Sequence, residues 1–320
     1  MKNKILILDE YIPVRKIIKL KLKNYNLVFK NFNNQKQLNN YLKKEKFFAI
    51  YSTFGFSLNH NSLKFLKEKL KYIISPTTGT EHIDLNYCKN NNIKVLTLKN
   101  ETNFLKDVSA TAELTWCLIL ALSKNLYRFS YDVIHKKEWK RNSYLNHDLK
   151  GNTLGIIGYG RIGKLIAKYA KAFGMKILIY EKDVNKRKTS KYIKFCSIKK
   201  ILKCKFVSIH IPLENNYNFL SKNLLKYVDK NTYIINTSRG NIFDEKNLIN
   251  FIKSKSLKGF AFDVLPSDVL WKNKLPKKYN FLNKNNLNYI ITPHIGGNTI
   301  ESRSKTTNFI INKFLKNIRN

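Results

Sequence analysis

Three kinds of side chain in the second half of the chain have the chemistry that reduction of a carbonyl needs. Arg239 lies in Asn236-Thr237-Ser238-Arg239-Gly240, directly after the apolar run Tyr233–Ile235, and its planar fork suits a carboxylate. His294 lies in Thr292-Pro293-His294-Ile295-Gly296-Gly297, after Tyr289–Ile291, and imidazole is the side chain that gives or takes a proton near neutral pH. Asp263 follows the run Gly259–Phe262, and Asp268 stands a few residues on. A carboxylate beside His294 would favour the protonated ring. Taken singly, each has an ordinary explanation as a surface arginine, a turn histidine or a strand-end cap. Their shared position after apolar runs joins them, because open α/β sheets receive ligands at the carboxyl ends of strands.

What must position them begins with a glycine-rich turn at mid-chain. Gly158, Gly160 and Gly163 form G-x-G-x-x-G after the run Leu154, Ile156, Ile157, and a helical stretch Leu165–Phe173 follows. A second apolar run, Ile177–Tyr180, ends on Glu181. Strand, turn, helix, strand and acid in this order are the dinucleotide fingerprint. The first glycine permits the tight turn, Gly160 lets backbone approach a pyrophosphate, and Gly163 lets the helix pack on the sheet. The helix N-terminus offers N–H groups to phosphate. Glu181 can accept from both ribose hydroxyls and repels a 2′-phosphate, so NAD is expected rather than NADP, with Lys182, Lys186 and Arg187 as the features that would admit NADP.

Around this centre, apolar runs alternate with helical patterns. Ile5–Leu8, Leu27–Phe29, Phe47–Tyr51, Tyr72–Ser75 and Val95–Leu98 read as buried strands before the glycine turn, and Phe206–Ile209, Tyr233–Ile235, Gly259–Phe262 and Tyr289–Ile291 after it. The pattern predicts doubly wound parallel sheets. Phe104–Leu126, without Pro or Gly, reads as one long connecting helix, and Thr299–Ile318 as a C-terminal helix.

Composition narrows the classes. A chain of 320 residues suits two domains, and it contains no apolar run long enough to span a membrane. The apolar start is too short for a secretory leader, so a cytoplasmic protein is expected. The cysteines, Cys88, Cys117, Cys196 and Cys204, lack C-x-x-C spacing and read as reduced structural thiols, with Cys117 and Cys196 in apolar surroundings. No metal site is expected. The net charge of +39 invites a nucleic-acid reading, but only 8 of the 60 basic residues are arginine and the lysines are scattered. Drift toward lysine and asparagine explains this without a specific nucleic-acid partner.

Together these motifs resemble the D-isomer-specific 2-hydroxyacid dehydrogenases, the family of D-lactate, glycerate and D-3-phosphoglycerate dehydrogenases. The likeness covers nearly the whole chain and includes Thr77-Thr78-Gly79-Thr80-Glu81-His82-Ile83-Asp84, Ala110-Thr111-Ala112-Glu113-Leu114, Trp139-Lys140-Arg141 and His210-Ile211-Pro212-Leu213, besides the segments above. The resemblance implies a Rossmann NAD-binding domain, residues 102–297, inserted into a flavodoxin-like substrate domain formed by residues 1–101 and 298–320, with the active site in the cleft. It implies an NAD-dependent hydride transfer between nicotinamide and C2 of a small D-2-hydroxy or 2-keto acid. Arg239 would bind substrate carboxylate and carbonyl, and His294 would be the acid/base. Thr77, Thr78 and Gly79 would help hold the carboxylate. Arg161 and Ile162 would meet the pyrophosphate, Ile211 and Pro212 the adenosine, and Asp263 the nicotinamide amide. Thr78, Thr237, Ser238, Gly296 and Gly297 would complete the cofactor's surroundings. The family usually places glutamate where this chain has Asp268, one methylene shorter. By the same resemblance the region near Phe104–Leu126 takes part in a homodimer, and no C-terminal regulatory domain is expected. The alternative on this fold is a non-enzymatic NAD(H)-binding regulator.

Overall fold

The computed structural model describes all residues except 1, 10, 67, 144, 188–189, 255, 269–270, 272–273, 285–287 and 320. The chain divides into two compact units, one of Met1–Val108, Val269–Leu275 and Asn298–Asn320, the other of Ser109–Asp268 and Pro276–Gly297.

The first unit is built on a five-stranded parallel sheet of β1 (Lys4–Leu8), β2 (Asn26–Phe29), β3 (Ala49–Ser52), β4 (Tyr72–Ile74) and β5 (Lys94–Leu96), in the order β2-β1-β3-β4-β5. This is the flavodoxin-like order. Successive residues of a strand face opposite sides, and β1 shows it: Ile5 and Ile7 enter one buried cluster, Leu6 and Leu8 the other. Both faces are therefore covered, as parallel sheets require. One cover is the C-terminal helix Ile300–Arg319, which buries Ile310, Ile311 and Phe314 completely. Its Thr307 hydroxyl meets the buried Tyr51 hydroxyl at 2.9 Å, and its Arg303 holds both oxygens of buried Asp9 at 2.7 and 2.6 Å.

The second unit carries seven parallel strands: β6 (Thr153–Ile157), β7 (Lys176–Tyr180), β8 (Ile193–Phe195), β9 (Phe206–Ile209), β10 (Tyr233–Asn236), β11 (Gly259–Phe262) and β12 (Asn288–Ile291). Their order, β12-β11-β10-β9-β6-β7-β8, is that of a Rossmann sheet, with the reversal between β6 and β9. Strand β8 was not anticipated, since Ile193-Lys194-Phe195 is too short to stand out as an apolar run. The helix Arg161–Ala172 buries Gly163, Ile166, Ala167 and Ala170, a spacing that keeps one face on the sheet.

The single helix expected over Phe104–Leu126 is instead broken. A one-turn helix, Thr102–Leu105, precedes Ala110–Ser123, and a further helix runs Leu126–Lys136. The unit boundary falls at Val108/Ser109, within the first break. At the second, Asn125 adopts φ 50°, a left-handed conformation that stops a helix and that asparagine tolerates. Neither break needs Pro or Gly, which is why the sequence concealed them.

All four cysteines are free, but burial falls on Cys88 and Cys204, whose thiols burial pushes up to about 12 and about 11. Cys117 is exposed although Trp116 and Leu118 beside it are buried. On a helix adjacent residues point about 100° apart, so apolar neighbours do not imply a buried thiol. Among the described residues no helix is long and apolar enough to cross a membrane.

Candidate active site

In the second unit the expected residues gather at the carboxyl ends of β6, β7, β9, β10, β11 and β12. The turn after β6 is sterically determined. Gly158 has φ +95°, and a Cβ there would stand 2.5 Å from the His210 carbonyl oxygen. A Cβ on Gly163 would stand 2.1 Å from the Gly158 oxygen, whereas one on Gly160 would meet nothing within 4 Å. The open side at Gly160, at the head of the helix beginning at Arg161, is the cradle that a pyrophosphate fits. Arg161 and Ile162 are the first residues of that helix, and burial lowers the pKa of the Arg161 guanidinium.

Glu181, just past β7, is tied back to the turn. One carboxylate oxygen accepts from the Tyr159 N–H at 2.7 Å and the other from the Asp183 N–H at 3.0 Å. Two carboxylate oxygens offer about four acceptor sites, so capacity for ribose hydroxyls remains. The neighbouring cations are engaged locally. Lys182 donates to Asn216 at 3.0 Å, Lys186 pairs with Asp183 at 3.1 Å, and Arg187 donates twice to the Glu181 carbonyl. After β9, the His210 N–H bonds the Ile157 carbonyl at 2.7 Å, and the Ile211 side chain lies beside Gly158. Ile211 and exposed Pro212 thus border the glycine turn across the strand reversal.

Sequence reasoning gave His210 no chemistry. Its Nε2 lies 2.7 Å from the Ser208 hydroxyl, and burial lowers its pKa to about 3, so the ring is a neutral structural element.

After β10, the Asn236 side chain accepts from the Ser238 N–H and hydroxyl and donates to the Arg239 carbonyl at 3.0 Å. This closes the turn that presents Arg239, whose Nη1 donates to the Ser238 carbonyl at 2.7 Å. Buried Thr237 shares a hydrogen bond of 2.7 Å with Thr115 of the helix Ala110–Ser123. A Cβ on Gly240 would fall 2.0 Å from the Leu265 carbonyl group, so the Arg239 turn packs directly on the loop after β11.

That loop and the one after β12 bring the dyad together. Asp263 is 2% exposed, and its carboxylate accepts from the Thr292 hydroxyl and the Ile295 and Gly296 N–H groups at 2.6, 2.8 and 2.8 Å. Its carbonyl accepts from the His294 N–H at 2.8 Å. Asp263 is therefore the post around which the His294 loop is wound, and His294 takes the left-handed φ of 56°. Within the same loop a Cβ on Gly296 would reach Asp263 Oδ2 at 3.0 Å, while Gly297 faces open space. Asp268 Oδ2, shut off from solvent, lies 2.9 Å from His294 Nδ1. The buried Tyr279 phenol is bonded to Glu245 at 3.0 Å; burial first, then that bond, then the charges of Glu245 and Asp268 raise its pKa.

In the first unit, the loop after β4 holds Thr77, Thr78 and Gly79. The Thr77 hydroxyl donates to the Gly79 carbonyl at 2.7 Å and meets Ser75 at 2.9 Å, while Thr78 is partly exposed.

Comparison with known proteins gives this arrangement its relatives. Residues 116–296 match the family model described as D-isomer specific 2-hydroxyacid dehydrogenase, NAD binding domain. A glyoxylate reductase of Thermococcus litoralis is 32% identical over 247 residues, covering 73% of this chain and 70% of that protein. A hydroxypyruvate reductase of Thermotoga maritima is 29% identical over 257 residues, 78% of each. Among solved structures, a D-lactate dehydrogenase from Aquifex aeolicus, complexed with NAD and lactic acid, superposes with a TM-score of 0.82 at 26% identity, over 98% of this chain and 95% of that one.

Proposed function

The chain belongs to the D-isomer-specific 2-hydroxyacid dehydrogenase family and is an NAD-dependent enzyme, and on that premise we propose how its own residues carry the reaction on a small 2-keto or 2-hydroxy acid. When bound, NAD supplies or takes up the hydride at the substrate's C2. The turn Gly158–Gly163 would hold the pyrophosphate, Glu181 the adenosine ribose, and Ile211 and Pro212 the adenosine. Thr78, Thr237, Ser238, Gly296 and Gly297 would frame the rest, with Asp263 near the nicotinamide amide.

Arg239 pairs with the substrate carboxylate and carbonyl oxygen, which orients C2 and polarises the carbonyl. Thr77, Thr78 and Gly79, in the first unit, would be further substrate-binding residues. His294 turns Nδ1 to Asp268 and keeps Nε2 for the substrate oxygen. It delivers a proton there as the carbonyl becomes a hydroxyl, and takes one back in the oxidation. Asp268 holds a negative charge beside the ring and stabilises the imidazolium. What supports this assignment most is the 2.9 Å Asp268–His294 pair at the strand ends of the NAD-binding unit. The retained Arg239 and His294 favour an enzyme over a non-catalytic NAD(H)-binding regulator.

The test is NADH oxidation with a panel of glyoxylate, pyruvate, hydroxypyruvate and 3-phosphohydroxypyruvate. Arg239→Ala should lower kcat/KM by on the order of a thousandfold on the best substrate while leaving the NADH Kd within about twofold. Normal turnover by that variant would remove Arg239 from the mechanism.

The same reading makes the protein a cytoplasmic homodimer. Leu126, Tyr127, Tyr131 and Ile134 are 45–60% exposed on the helix Leu126–Lys136, beside an apolar groove lined by Trp116, Leu120 and Phe173. A second copy covering this face would bury it in an isologous interface. Light scattering should give a dimer mass that Ile134→Asp reduces.

A further inference from the structure

We propose that Asn241 is a positioning residue for the acid/base pair: it fixes the backbone from which Asp268 reaches His294. The inference rests on the reading of Asp268 and His294 given above. An aspartate has a single carbon between backbone and carboxyl group, so it cannot search for its partner by side-chain rotation alone. The backbone at 266–268 must be put in place first, and that is what the contacts around it do.

Ser267, the residue before the aspartate, has φ 64°. This is the left-handed region, which serine enters only under constraint. Two contacts supply it: the turn that Pro266 opens and the Asp268 N–H closes, and the Ser267 N–H, which donates to Asn241 Oδ1 at 2.6 Å. Asn241 is well placed to bear this load. It follows Gly240, whose Cα carries the Leu265–Pro266 peptide so closely that a Cβ would stand 2.5 Å from Pro266 N. Its own carbonyl is held by the Asn218 N–H at 2.9 Å. On the far side of Ser267, the Asp268 N–H returns to the Leu265 carbonyl at 3.0 Å, closing a tight turn that presents the carboxylate.

The consequence is a mechanical link within one unit. Arg239, Gly240 and Asn241 are consecutive, so the residue that orients substrate and the residue that seats the histidine's partner share one turn. Asn241 touches no reacting atom. It acts through Ser267 and Asp268 on the ring of His294. Among the described residues, the titratable groups near that ring and its partner include Asp268 itself, the Asp263 carboxylate wound into the His294 loop, and the Tyr279 phenol with its partner Glu245.

The experiment removes the acceptor and then removes the need for it. Asn241→Ala and the near-isosteric Asn241→Leu should each lower kcat for 2-keto-acid reduction about tenfold, leave the NADH Kd within about twofold, and move the alkaline fall of the rate to lower pH. A second readout needs neither NADH nor substrate. With Asp268 seated, the neutral His294 ring carries its proton on Nδ1, and ¹⁵N spectra of histidine-labelled protein, assigned with His294→Gln, should show that tautomer dominant. In both Asn241 variants the two tautomers should mix. Asp268→Glu adds the missing methylene, so combining it with Asn241→Ala should bring rate and pH profile back to those of Asp268→Glu alone.

A wild-type tautomer balance and pH profile in both Asn241 variants would overturn the proposal. So would an equal loss from Asn241→Ala with and without Asp268→Glu, which would mean that Asn241 acts through general stability. Normal turnover by His294→Gln would instead overturn the underlying acid/base reading, and the ring spectra would still decide whether Asn241 seats Asp268.

Discussion

The turn after β6 and the loops after β11 and β12 both present backbone and side chains to a ligand, and they are held by opposite means. At Gly158–Gly163 the shape follows from what is missing. Backbone atoms stand where a Cβ on Gly158 or Gly163 would go, so glycine is obligatory there and the turn has one conformation. At Asp263–Asp268 and Thr292–Gly297 the shape follows from what is added. Ser267 and His294 carry side chains at φ 64° and 56°, and their N–H groups are held there by donating to Asn241 and to the Asp263 carbonyl. A turn made by exclusion tolerates no side chain at Gly158 or Gly163, and the Glu181 tether on Tyr159 only adds to it. A loop made by tethering keeps reactive side chains at strained positions, and its geometry depends on residues that never meet the substrate.

The largest test of this contrast is Gly163→Ala. With the new Cβ pressed on the Gly158 oxygen, overpacking should cost about 3 kcal/mol, seen as a lower Tm together with a tenfold or greater rise in the NADH Kd. A variant that binds NADH normally would show that the turn can yield, and the contrast would fail. Asp268→Asn comes next. It keeps the size of the tether but removes its charge, so the imidazolium loses its support. Reduction should fall about ten- to hundredfold, with a change in its pH profile. An unmoved profile would take Asp268 out of the proton transfer.

A smaller effect is expected from His210→Gln, next to the glycine turn. The folded ring stays neutral down to about 3, whereas an unfolded histidine takes up a proton below its ordinary value of 6.5. The unfolded state thus binds more protons in that window, and stability declines as pH falls through it. Urea midpoints at neutral and mildly acidic pH should therefore lie closer together in the variant than in the parent; identical slopes would show that the ring is not sequestered. The smallest effect is that of Ser267→Gly. Relief of the left-handed strain and the greater freedom of the unfolded chain oppose each other, so stability should change by less than about 1 kcal/mol, with the rate unaltered because Asn241 still holds the N–H. A large loss of rate would place the constraint in the serine side chain instead.

The same difference in means decided what could be read beforehand. Exclusion leaves its mark in residue type. Gly158, Gly160 and Gly163, the apolar runs and the acid at 181 therefore announced the parallel sheets and the dinucleotide turn. Tethering leaves a weaker mark. Arg239, Asp268 and His294 stood out because their side chains have chemistry, but nothing in Asn241 or Ser267 signals a bond across 26 residues. His210 was legible as part of a motif and not as a half-buried ring kept neutral, because its surroundings are a property of the sheet it ends. The broken helix shows the converse. The left-handed Asn125 stands at the expected helix's own end, whereas the break at Val108/Ser109 falls inside it, with no Pro or Gly to mark it.

The C-terminal helix has a consequence for the order in which the molecule is made. The sheet of the first unit is complete in sequence by Leu96, yet Ile310, Ile311 and Phe314, which help cover one of its faces, leave the ribosome more than 200 residues later. The second unit, residues 109–268 and 276–297, is synthesised in between. At roughly 5–20 residues per second, this face of β1, β3 and β4, covered until then only in part by Val14, Ile18 and Leu22, waits on the order of ten seconds or more for the rest of its cover. During that interval Tyr51 lacks Thr307, Asp9 lacks Arg303, and the nascent chain exposes an apolar surface that its finished form hides. Dependence on chaperones should therefore fall on the first unit, although its strands are translated first.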